Sequence, residues 1–326
     1  MPQRIAQLKD WLNTLPGMEA YSFEPASGDA SFRRYFRIGV GDKSYIAMDA
    51  PTDKEDTRPF IHVANALESI GLNVPHIHAK SLQQGFLLLE DLGSVLYLDR
   101  LNSQTVDRLY GDAIEALITL QAQGPREGLP HYDSKLLMAE MGLFRDWLLD
   151  AHLKLTLSQQ ERQLLDNLFE VLTENALQQP QVCVHRDFHS RNLMVVENNN
   201  PGVIDFQDAV IGPVTYDLVS LLKDCYIEWP SEQIEAWALG YFKLAAQTGV
   251  ITTEDESKFL TWFDLMGVQR HLKASGIFAR LNQRDGKPGY LQDIPRTLNY
   301  ILAVADRYQA TRELGDFLRQ RVISQL

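Results

Sequence analysis

The sequence predicts an α+β protein with a small β-rich N-lobe, residues 1–92, and a mainly helical C-lobe, residues 93–326. Three observations support this division. Short segments that alternate apolar and polar residues, as half-buried strands do, dominate the N-lobe. Segments with the 3.6-residue period of amphipathic helices dominate the C-lobe. A polar loop between short apolar runs, within residues 182–208, interrupts these helices, and the chain is long enough for two cores.

The N-lobe is predicted to begin with an amphipathic helix over residues 1–15, which ends at Pro16 and Gly17. Gly41 and Asp42 are typical of a hairpin turn between two strands. A second helix carries its apolar residues on one face. The predicted elements after the first helix are strands at residues 21–26, 32–40 and 43–49, a helix at 59–70, and strands at 73–79 and 85–90.

Two N-lobe segments are candidates for contacts with a nucleotide. The turn between the first two strands consists of small residues, so its backbone N–H groups could approach phosphates; an ordinary hairpin turn is the alternative. The last N-lobe strand ends in a polar segment whose backbone groups could pair with an adenine edge; a plain strand end is the alternative. The residues concerned are Ser27, Gly28, Asp29, Ala30 and Ser31 in the turn, and Glu90 and Leu92 at the strand end.

The C-lobe is predicted to contain eight helices around the polar loop. Ser158 and Glu161 have the spacing of a capping box at the start of the third of them. The predicted helices cover residues 101–122, 134–149, 158–178, 215–224, 231–248, 253–279 and 293–309, and the last begins at residue 312.

Three polar side chains in the 182–208 region flank short apolar runs that are predicted to be strands of one small sheet. The runs cover residues 182–184, 193–196 and 202–204. Asp187, Asn192 and Asp205 lie next to these strands, so we expect their side chains to converge. An Asp and an Asn supply oxygen ligands that suit Mg²⁺. A second Asp can orient a hydroxyl and accept its proton, so the combination indicates phosphoryl transfer from a nucleotide.

The bulk composition excludes some classes of protein. A net charge of −12 disfavours a nucleic-acid binder, whereas Mg²⁺ and a few local cations can neutralise a triphosphate inside an acidic protein. The two cysteines, Cys183 and Cys225, do not make a disulfide framework, which indicates a reducing compartment. We find no targeting segment and no apolar run of roughly 20 residues that could span a bilayer. We therefore expect a cytoplasmic protein with no nucleic acid, membrane or obligate protein partner.

Several polar positions in fixed order resemble those of the aminoglycoside phosphotransferase and choline kinase group, which has a bilobal protein-kinase-like fold. The segments that carry this resemblance are HRDFHSRN at residues 185–192, VIDF at 203–206 and YDL at 216–218. Other segments resemble a bacterial branch, the N-acetylmuramate/N-acetylglucosamine anomeric kinases of cell-wall recycling. They are GDASFRRYFR at residues 28–37, IAMDAP at 46–51, FLLLEDLG at 86–93, QRHLK at 269–273 and GIFARL at 276–281.

The resemblance implies an ATP-dependent and Mg²⁺-dependent sugar kinase and a role for each candidate residue. Asp187 corresponds to the catalytic base or orienter of the acceptor hydroxyl, and Asn192 and Asp205 to the ligands of Mg²⁺ that bridges the ATP phosphates. The 27–31 turn is expected to cover the phosphates, and the backbone from Glu90 to Leu92 to meet adenine. Asp217 is expected to connect the helix that follows the metal site to the catalytic loop.

One position departs from the pattern of kinase-like folds. Their third strand normally carries a Lys that binds the α- and β-phosphates and pairs with a helix Glu. Met48 stands where this Lys is expected, so another cation is needed unless metal and backbone hold the phosphates alone. The nearby cations are Arg33, Arg34, Lys43 and Lys54, and at most one of the two arginines faces the nucleotide because neighbouring strand residues point to opposite faces.

The acceptor is expected to bind residues of the C-lobe. Arg270 and Arg280 belong to a basic run, and a guanidinium can grip the lactyl carboxylate of N-acetylmuramate with two hydrogen bonds. His189, Gln207 and Asp224 are candidates for contacts with sugar hydroxyls. A solvated charged helix face is the alternative interpretation of the basic run.

Two other functions fit the same residues. An aminoglycoside kinase binds polycations, which an acidic protein attracts; an acidic acceptor site would favour it, whereas Arg270 and Arg280 at the acceptor would favour an anionic sugar. A nucleotide-binding pseudokinase module is suggested by Met48 in the position of the Lys. The presence of Asp187, Asn192 and Asp205 weighs against that module, because a non-catalytic protein does not need all three.

Overall fold

A five-stranded antiparallel sheet forms the centre of the first of two compact units in the computed structural model, which describes residues 2–28 and 32–326. The strand order is β1-β2-β3-β5-β4. The strands are β1 (Ser22–Gly28), β2 (Arg34–Val40), β3 (Lys43–Asp49), β4 (Ile77–Ser81) and β5 (Phe86–Glu90). Val40 pairs with Lys43 across the two-residue turn, which confirms the predicted hairpin. The strand predicted at residues 73–79 begins later, at Ile77, and Asn73 instead forms an isolated parallel bridge to Gly202.

The helix α1 (Pro2–Leu12) packs on one face of this sheet. Its Leu8 and Leu12 are fully buried in a cluster with apolar residues of β2, β3 and β5. On the same face, Arg4 and Arg34 both donate to the buried carboxylate of Asp49. The next helix, α2 (Thr57–Ser69), begins at Asp56, whose side chain accepts a hydrogen bond from the backbone of the first turn.

A short hairpin from later in the chain also belongs to the first unit, which runs to Arg100 and includes Asn192–Asp208. It consists of β7 (Leu193–Met194) and β8 (Gly202–Val203). Backbone hydrogen bonds attach it to the first unit: Val195 N–H donates to the Val95 carbonyl at 2.8 Å, and Val203 N–H to the Asn73 carbonyl at 2.7 Å. The short helix α3 (Tyr97–Arg100) completes the unit, which therefore extends beyond the N-lobe predicted to end at residue 92.

The second unit comprises Leu101–Arg191 and Ala209–Leu326 and is mainly helical. Its α-helices are α4 (Val106–Gln123), α5 (Ser134–Leu143), α6 (Gln159–Leu177), α7 (Tyr216–Leu222), α8 (Ser231–Gln247), α9 (Glu256–Asp285), α10 (Ile294–Ala305) and α11 (Gln309–Phe317). Two π-helical segments, Phe144–His152 and Leu318–Val322, continue α5 and α11, and 3-10 turns cover Thr253–Asp255, Pro288–Asp293 and Ile323–Gln325. The capping box of Ser158 and Glu161 is present at the start of α6.

The prediction of one small sheet around the polar loop is wrong. The strand β6 (Gln181–Val184) pairs with β9 (Val210–Pro213) in the second unit, whereas β7 pairs with β8 in the first. No strand was predicted at β9, which ends in Gly212 and Pro213; Pro213 is tolerated at this strand end, where it pairs with Gln181.

A buried apolar cluster around α9 forms the core of the second unit. It combines residues of α5, α6, α9, α10 and α11, so α9 is covered by helices along most of its length. Within residues 2–28 and 32–326, no helix has the length and apolar composition needed to cross a membrane.

Candidate active site

The loop at residues 185–191 follows β6 in the second unit, and a buried carboxylate of α7 fixes its start. The N–H groups of His185 and Arg186 donate to the two oxygens of Asp217 at 2.6 and 2.9 Å. Arg186 has a φ of 79°, a left-handed conformation that costs energy for a non-glycine residue unless neighbours hold it. Burial raises the pKa of Asp217 to about 6, although these hydrogen bonds and His185 favour the ionised form. The contact matches the connecting role expected of Asp217.

Asp187 is the partly buried acid of the 185–191 loop. Burial alone would raise its pKa, but Lys273, His189 and Arg270 outweigh this effect and lower the pKa below its ordinary value. Asp187 is therefore ionised at neutral pH, and it can accept a hydrogen bond from a hydroxyl group.

His189 and Asp224 are buried beside each other in the second unit. Asp224 accepts hydrogen bonds from the N–H groups of Ser190 and Tyr226, both at 2.9 Å, so this predicted sugar ligand also anchors the loop. The His189 ring packs edge-on against Tyr226 at 5.3 Å, and burial lowers the His189 pKa despite Asp224 and Asp187. The His189 Nδ1 atom is buried and has no hydrogen-bond partner in the described part of the chain, which leaves it available to a ligand.

Two predicted substrate arginines lie on α9. Arg270 is 5% exposed; its Nη1 lies 3.6 Å from Cys225 Sγ, and its Nε is buried with no hydrogen-bond partner among residues 2–28 and 32–326. Burial alone would lower the Arg270 pKa, but Cys225, Tyr216 and Asp187 raise it, so the guanidinium stays charged. Arg280 is partly buried, and burial together with Arg284 lowers its pKa.

A buried ion cluster next to the loop was not predicted from the sequence. Glu140 of α5 accepts hydrogen bonds from Arg186 and Tyr132, and its Oε1 lies 3.2 Å from Lys273 Nζ. Lys273 also donates to the Tyr216 hydroxyl at 2.9 Å. Glu140 is the single acid in an otherwise apolar segment of α5. This pattern could have indicated the cluster, because a buried acid requires cationic partners.

In the first unit, the structure brings Asn192 and Asp205 together on either side of the β7–β8 hairpin. Ile204 N–H donates to the Asn192 carbonyl at 3.1 Å, and the Asn192 side-chain amide donates to Asp205 Oδ2 at 3.3 Å. Asp205 has a φ of 67°, which again places a non-glycine residue in the left-handed region. Gln207, a predicted substrate residue, donates to Asp205 Oδ1 at 2.9 Å and to Asp208 at 3.3 Å.

The donor set of this hairpin fits Mg²⁺. Asn192 contributes an amide oxygen and Asp205 a carboxylate, and Mg²⁺ commonly takes only one or two protein oxygens and completes its octahedron with water and phosphate. In residues 2–28 and 32–326, no group of three or more His, Cys, Asp or Glu side chains could hold a metal ion. Two oxygen ligands of this kind suit a metal that arrives with a phosphate ligand.

The predicted nucleotide-binding residues also belong to the first unit. Ser27 and Gly28 end β1, opposite Tyr35 and Arg34 of β2. Asp29, Ala30 and Ser31 lie outside the described residues. Glu90 ends β5 with an exposed side chain, and its N–H donates to the His76 carbonyl at 2.8 Å. The Leu92 side chain packs closely over Gly202: a Cβ atom added to this glycine would lie only 2.9 Å from it.

Comparison with protein families identifies the enzyme family to which this chain belongs. The sequence matches the phosphotransferase enzyme family over residues 22–256. The chain belongs to this family. The resemblance inferred from the motifs is thereby confirmed, and the protein is a phosphoryl-transferring enzyme.

Two relatives of this phosphotransferase are named N-acetylmuramate/N-acetylglucosamine kinase. The one from Pseudomonas aeruginosa is 47% identical over 90% of this chain and 87% of its own length. The one from Pseudomonas putida is 43% identical over 97% of this chain and 96% of its own length.

Solved structures of low sequence identity confirm the predicted kinase-like fold of this phosphotransferase. A choline kinase from Streptococcus pneumoniae superposes with a TM-score of 0.64 at 13% identity, covering 91% of this chain and 98% of that one. An ADP-bound aminoglycoside phosphotransferase superposes with a TM-score of 0.62 at 16% identity, covering 95% of this chain and 99% of that one. At such identities the likeness establishes the fold alone.

Proposed function

We propose that this phosphotransferase is a sugar kinase that transfers the γ-phosphoryl group of ATP, with Mg²⁺, to the anomeric hydroxyl of N-acetylmuramate or N-acetylglucosamine. Support comes from the two Pseudomonas relatives, which match over nearly the whole chain and carry this substrate pair in their names. The observation from the structure that carries the proposal is the electrostatic setting of Asp187. The ionised carboxylate suits a sugar hydroxyl as its hydrogen-bond donor, and the cationic side chains around it suit the additional carboxylate of N-acetylmuramate.

In the proposed reaction, Asp187 accepts a hydrogen bond from the sugar hydroxyl and aims its oxygen at the γ-phosphorus. The new O–P bond forms as the bond between the γ-phosphorus and the bridging oxygen of ADP breaks, and the hydroxyl proton passes to Asp187. The lowered pKa of Asp187 makes it a weak base, which suits a loose transition state in which the proton moves late. Mg²⁺, when bound, would be held by Asn192 and Asp205 and would neutralise charge on the phosphates.

Acceptor specificity is assigned to three buried residues of the second unit, Arg270, His189 and Asp224, and to two partly buried residues, Arg280 and Gln207. Arg270 retains an Nε–H without a hydrogen-bond partner in the described chain, and we assign it to the lactyl carboxylate of N-acetylmuramate, with Arg280 as a second cation. His189 Nδ1 is assigned to a sugar hydroxyl, and Asp224 and Gln207 to further sugar contacts. These cations disfavour the aminoglycoside alternative, because a polycationic acceptor would meet like charge.

The remaining assignments follow from the same proposal. The backbone from Glu90 to Leu92 would meet adenine, and the 27–31 turn would cover the phosphates. We also place the enzyme in the cytoplasm, where ATP is available and where buried free thiols such as Cys183 and Cys225 persist. There it would return amino sugars released from the cell wall to metabolism.

A sugar panel tests the proposal. The enzyme is incubated with ATP and Mg²⁺ plus N-acetylmuramate, N-acetylglucosamine, the methyl glycoside of N-acetylglucosamine, kanamycin or choline, and ADP release is measured. We expect ADP release with the two free amino sugars and none with the methyl glycoside, whose anomeric oxygen is blocked. Phosphorus NMR of the product should show an anomeric phosphate. Turnover of kanamycin or choline without turnover of the amino sugars would refute the proposal, and ATP binding without any turnover would favour the pseudokinase alternative.

A further inference from the structure

Met48 occupies the third strand at the place where kinase-like folds carry a phosphate-binding lysine. Its side chain is fully buried, and it pairs with Tyr35 of β2 and Leu87 of β5. Directly paired residues of neighbouring strands point to the same face of a sheet. A cation that replaces the lysine must therefore come from the face of the sheet that carries Met48 and Tyr35.

Three of the four nearby cations fit this position poorly, because one lies on the opposite face and two are exposed. Arg34 pairs with Asp49 in the strand register and donates to its carboxylate on the opposite face, beside α1. Lys43 is exposed at the hairpin end of β3, five residues from Met48. Lys54 is exposed, with its ammonium 5.8 Å from the centre of the Phe32 ring.

Arg33 fits this position. It precedes Tyr35 by two residues, so it lies on the face of Tyr35 and Met48, and the Tyr35 hydroxyl interacts with it. Its side chain is only 11% exposed, and its Nε donates to Glu55 Oε2 at 3.2 Å. Glu55 immediately precedes the N-cap of α2, is 14% exposed, and also accepts from Phe32 N–H at 3.3 Å. The pair therefore joins the sheet to the start of the helix that follows β3.

The charge of Arg33 is maintained by acidic neighbours, one of which, Asp208, lies three residues after the proposed metal ligand Asp205. Burial alone would lower its pKa, but Tyr35, Glu55 and Asp208 raise it. Asp208 belongs to the same loop as Asp205 and shares the side chain of Gln207 with it. A triphosphate whose metal is held by Asp205 would thus have a permanent guanidinium close to its path.

We propose that Arg33 is the phosphate-binding cation of this enzyme and that Glu55 positions it, so that this pair replaces the strand lysine and helix glutamate of other kinase-like folds. The inference rests on the proposed use of ATP. A guanidinium placed at the edge of β2 binds phosphate with two N–H groups, which a lysine ammonium at Met48 would not do.

Nucleotide titrations of Arg33→Ala test this assignment. We expect the Kd for ADP and the KM for ATP to rise about 10- to 100-fold, the loss typical of charge-assisted hydrogen bonds to phosphate, while adenosine binding changes less than about twofold. Arg58→Ala is the matched control, since it removes an exposed arginine at the start of α2 and should leave the ADP affinity unchanged. A thermal melt of each variant establishes that it is folded.

A relocation experiment separates phosphate binding from a structural role. Adding Met48→Lys to Arg33→Ala returns a cation to the same sheet face and should recover at least part of the lost ADP affinity. An ADP affinity of Arg33→Ala within twofold of wild type, or an equal loss for adenosine, would overturn the inference. If the wild-type enzyme itself binds no ADP, the proposed ATP-dependent function fails instead, so the two failures are distinguishable.

Discussion

The loops at residues 185–191 and 205–208 carry the proposed acceptor and metal chemistry, and they are held in different ways. Carboxylates from distant parts of the second unit fix the first loop. They are Glu140 of α5, Asp217 of α7, and Asp224, which follows α7. The second loop is held by hydrogen bonds from Gln207 and Asn192 and by the packing of Phe206 against Phe60 of α2, all within the first unit.

This difference separates two kinds of vulnerability. Each loop contains a non-glycine residue in the left-handed region, Arg186 or Asp205, which persists only where surrounding contacts compensate its cost. For the 185–191 loop those contacts come from helices, so changes far away in sequence should displace Asp187. The contacts named for the 205–208 loop lie in the first unit, so the same changes should leave nucleotide binding intact.

The largest expected effect separates the two loops directly. Asp187→Asn keeps the shape of the side chain but removes its ability to take a proton, so we expect kcat to fall by about 10²- to 10⁴-fold. The Kd for ADP with Mg²⁺ should change less than about twofold. Asp205→Asn, the matched change in the other loop, should instead weaken Mg²⁺-dependent ADP binding. Equal effects of both substitutions on ADP affinity would contradict the assignment of acceptor chemistry to one loop and metal binding to the other.

The second expected effect concerns the ion cluster behind the 185–191 loop. Glu140→Ala leaves Arg186 and Lys273 without their shared carboxylate in a buried place, so we expect the free energy of unfolding to fall by about 3–5 kcal/mol. Turnover should fall because the loop is displaced, while the Kd for ADP should be retained. Urea denaturation and ADP titration measure these quantities.

Glu170→Ala is the control for the loss of a glutamate, because Glu170 is exposed on α6. Unchanged stability in Glu140→Ala would show that the cluster does not restrain the loop, and the comparison between the loops would lose its basis.

The sequence predicts features that depend on neighbouring residues, but not features that depend on residues far apart in the chain. The Gly41–Asp42 hairpin and the capping box of Ser158 and Glu161 depend on neighbouring residues, and both predictions are confirmed. The pairing of β6 with β9 depends on residues far apart in the chain. A polar loop flanked by apolar runs does not specify which strands pair, so the predicted single sheet was wrong.

The candidate site shows the same limit. Asp187, Asn192 and Asp205 could be selected because their residue types follow a fixed order in a short segment. Glu140 could not, because its importance arises from cations in other elements. The choice between Arg33 and Arg34 also required the structure, since the face each occupies follows from strand register and not from residue type.

The smallest expected effect is a pH dependence that reports on the anchor of the 185–191 loop. The pKa of Asp217 is raised from 3.8 to about 6 in the folded protein, so the folded state binds an extra proton between these values. Stability from this group is therefore present below about pH 4 and is lost as the pH rises through 6, by about 3 kcal/mol in total. Asp217→Asn does not titrate and removes this dependence.

Urea denaturation of wild type and Asp217→Asn between about pH 4 and pH 7 isolates the contribution of Asp217 to stability. All other titrating groups are common to the two proteins, so their effects cancel in the difference. The stability of wild type relative to Asp217→Asn should decrease with rising pH. At pH 7 the variant should still have a lower kcat, because an amide offers one acceptor oxygen to the two N–H groups of His185 and Arg186. Asp146→Asn, on an exposed aspartate, controls for a general effect of the substitution. A difference that is flat with pH would mean that Asp217 is ionised throughout, held by those two N–H groups strongly enough to offset its burial.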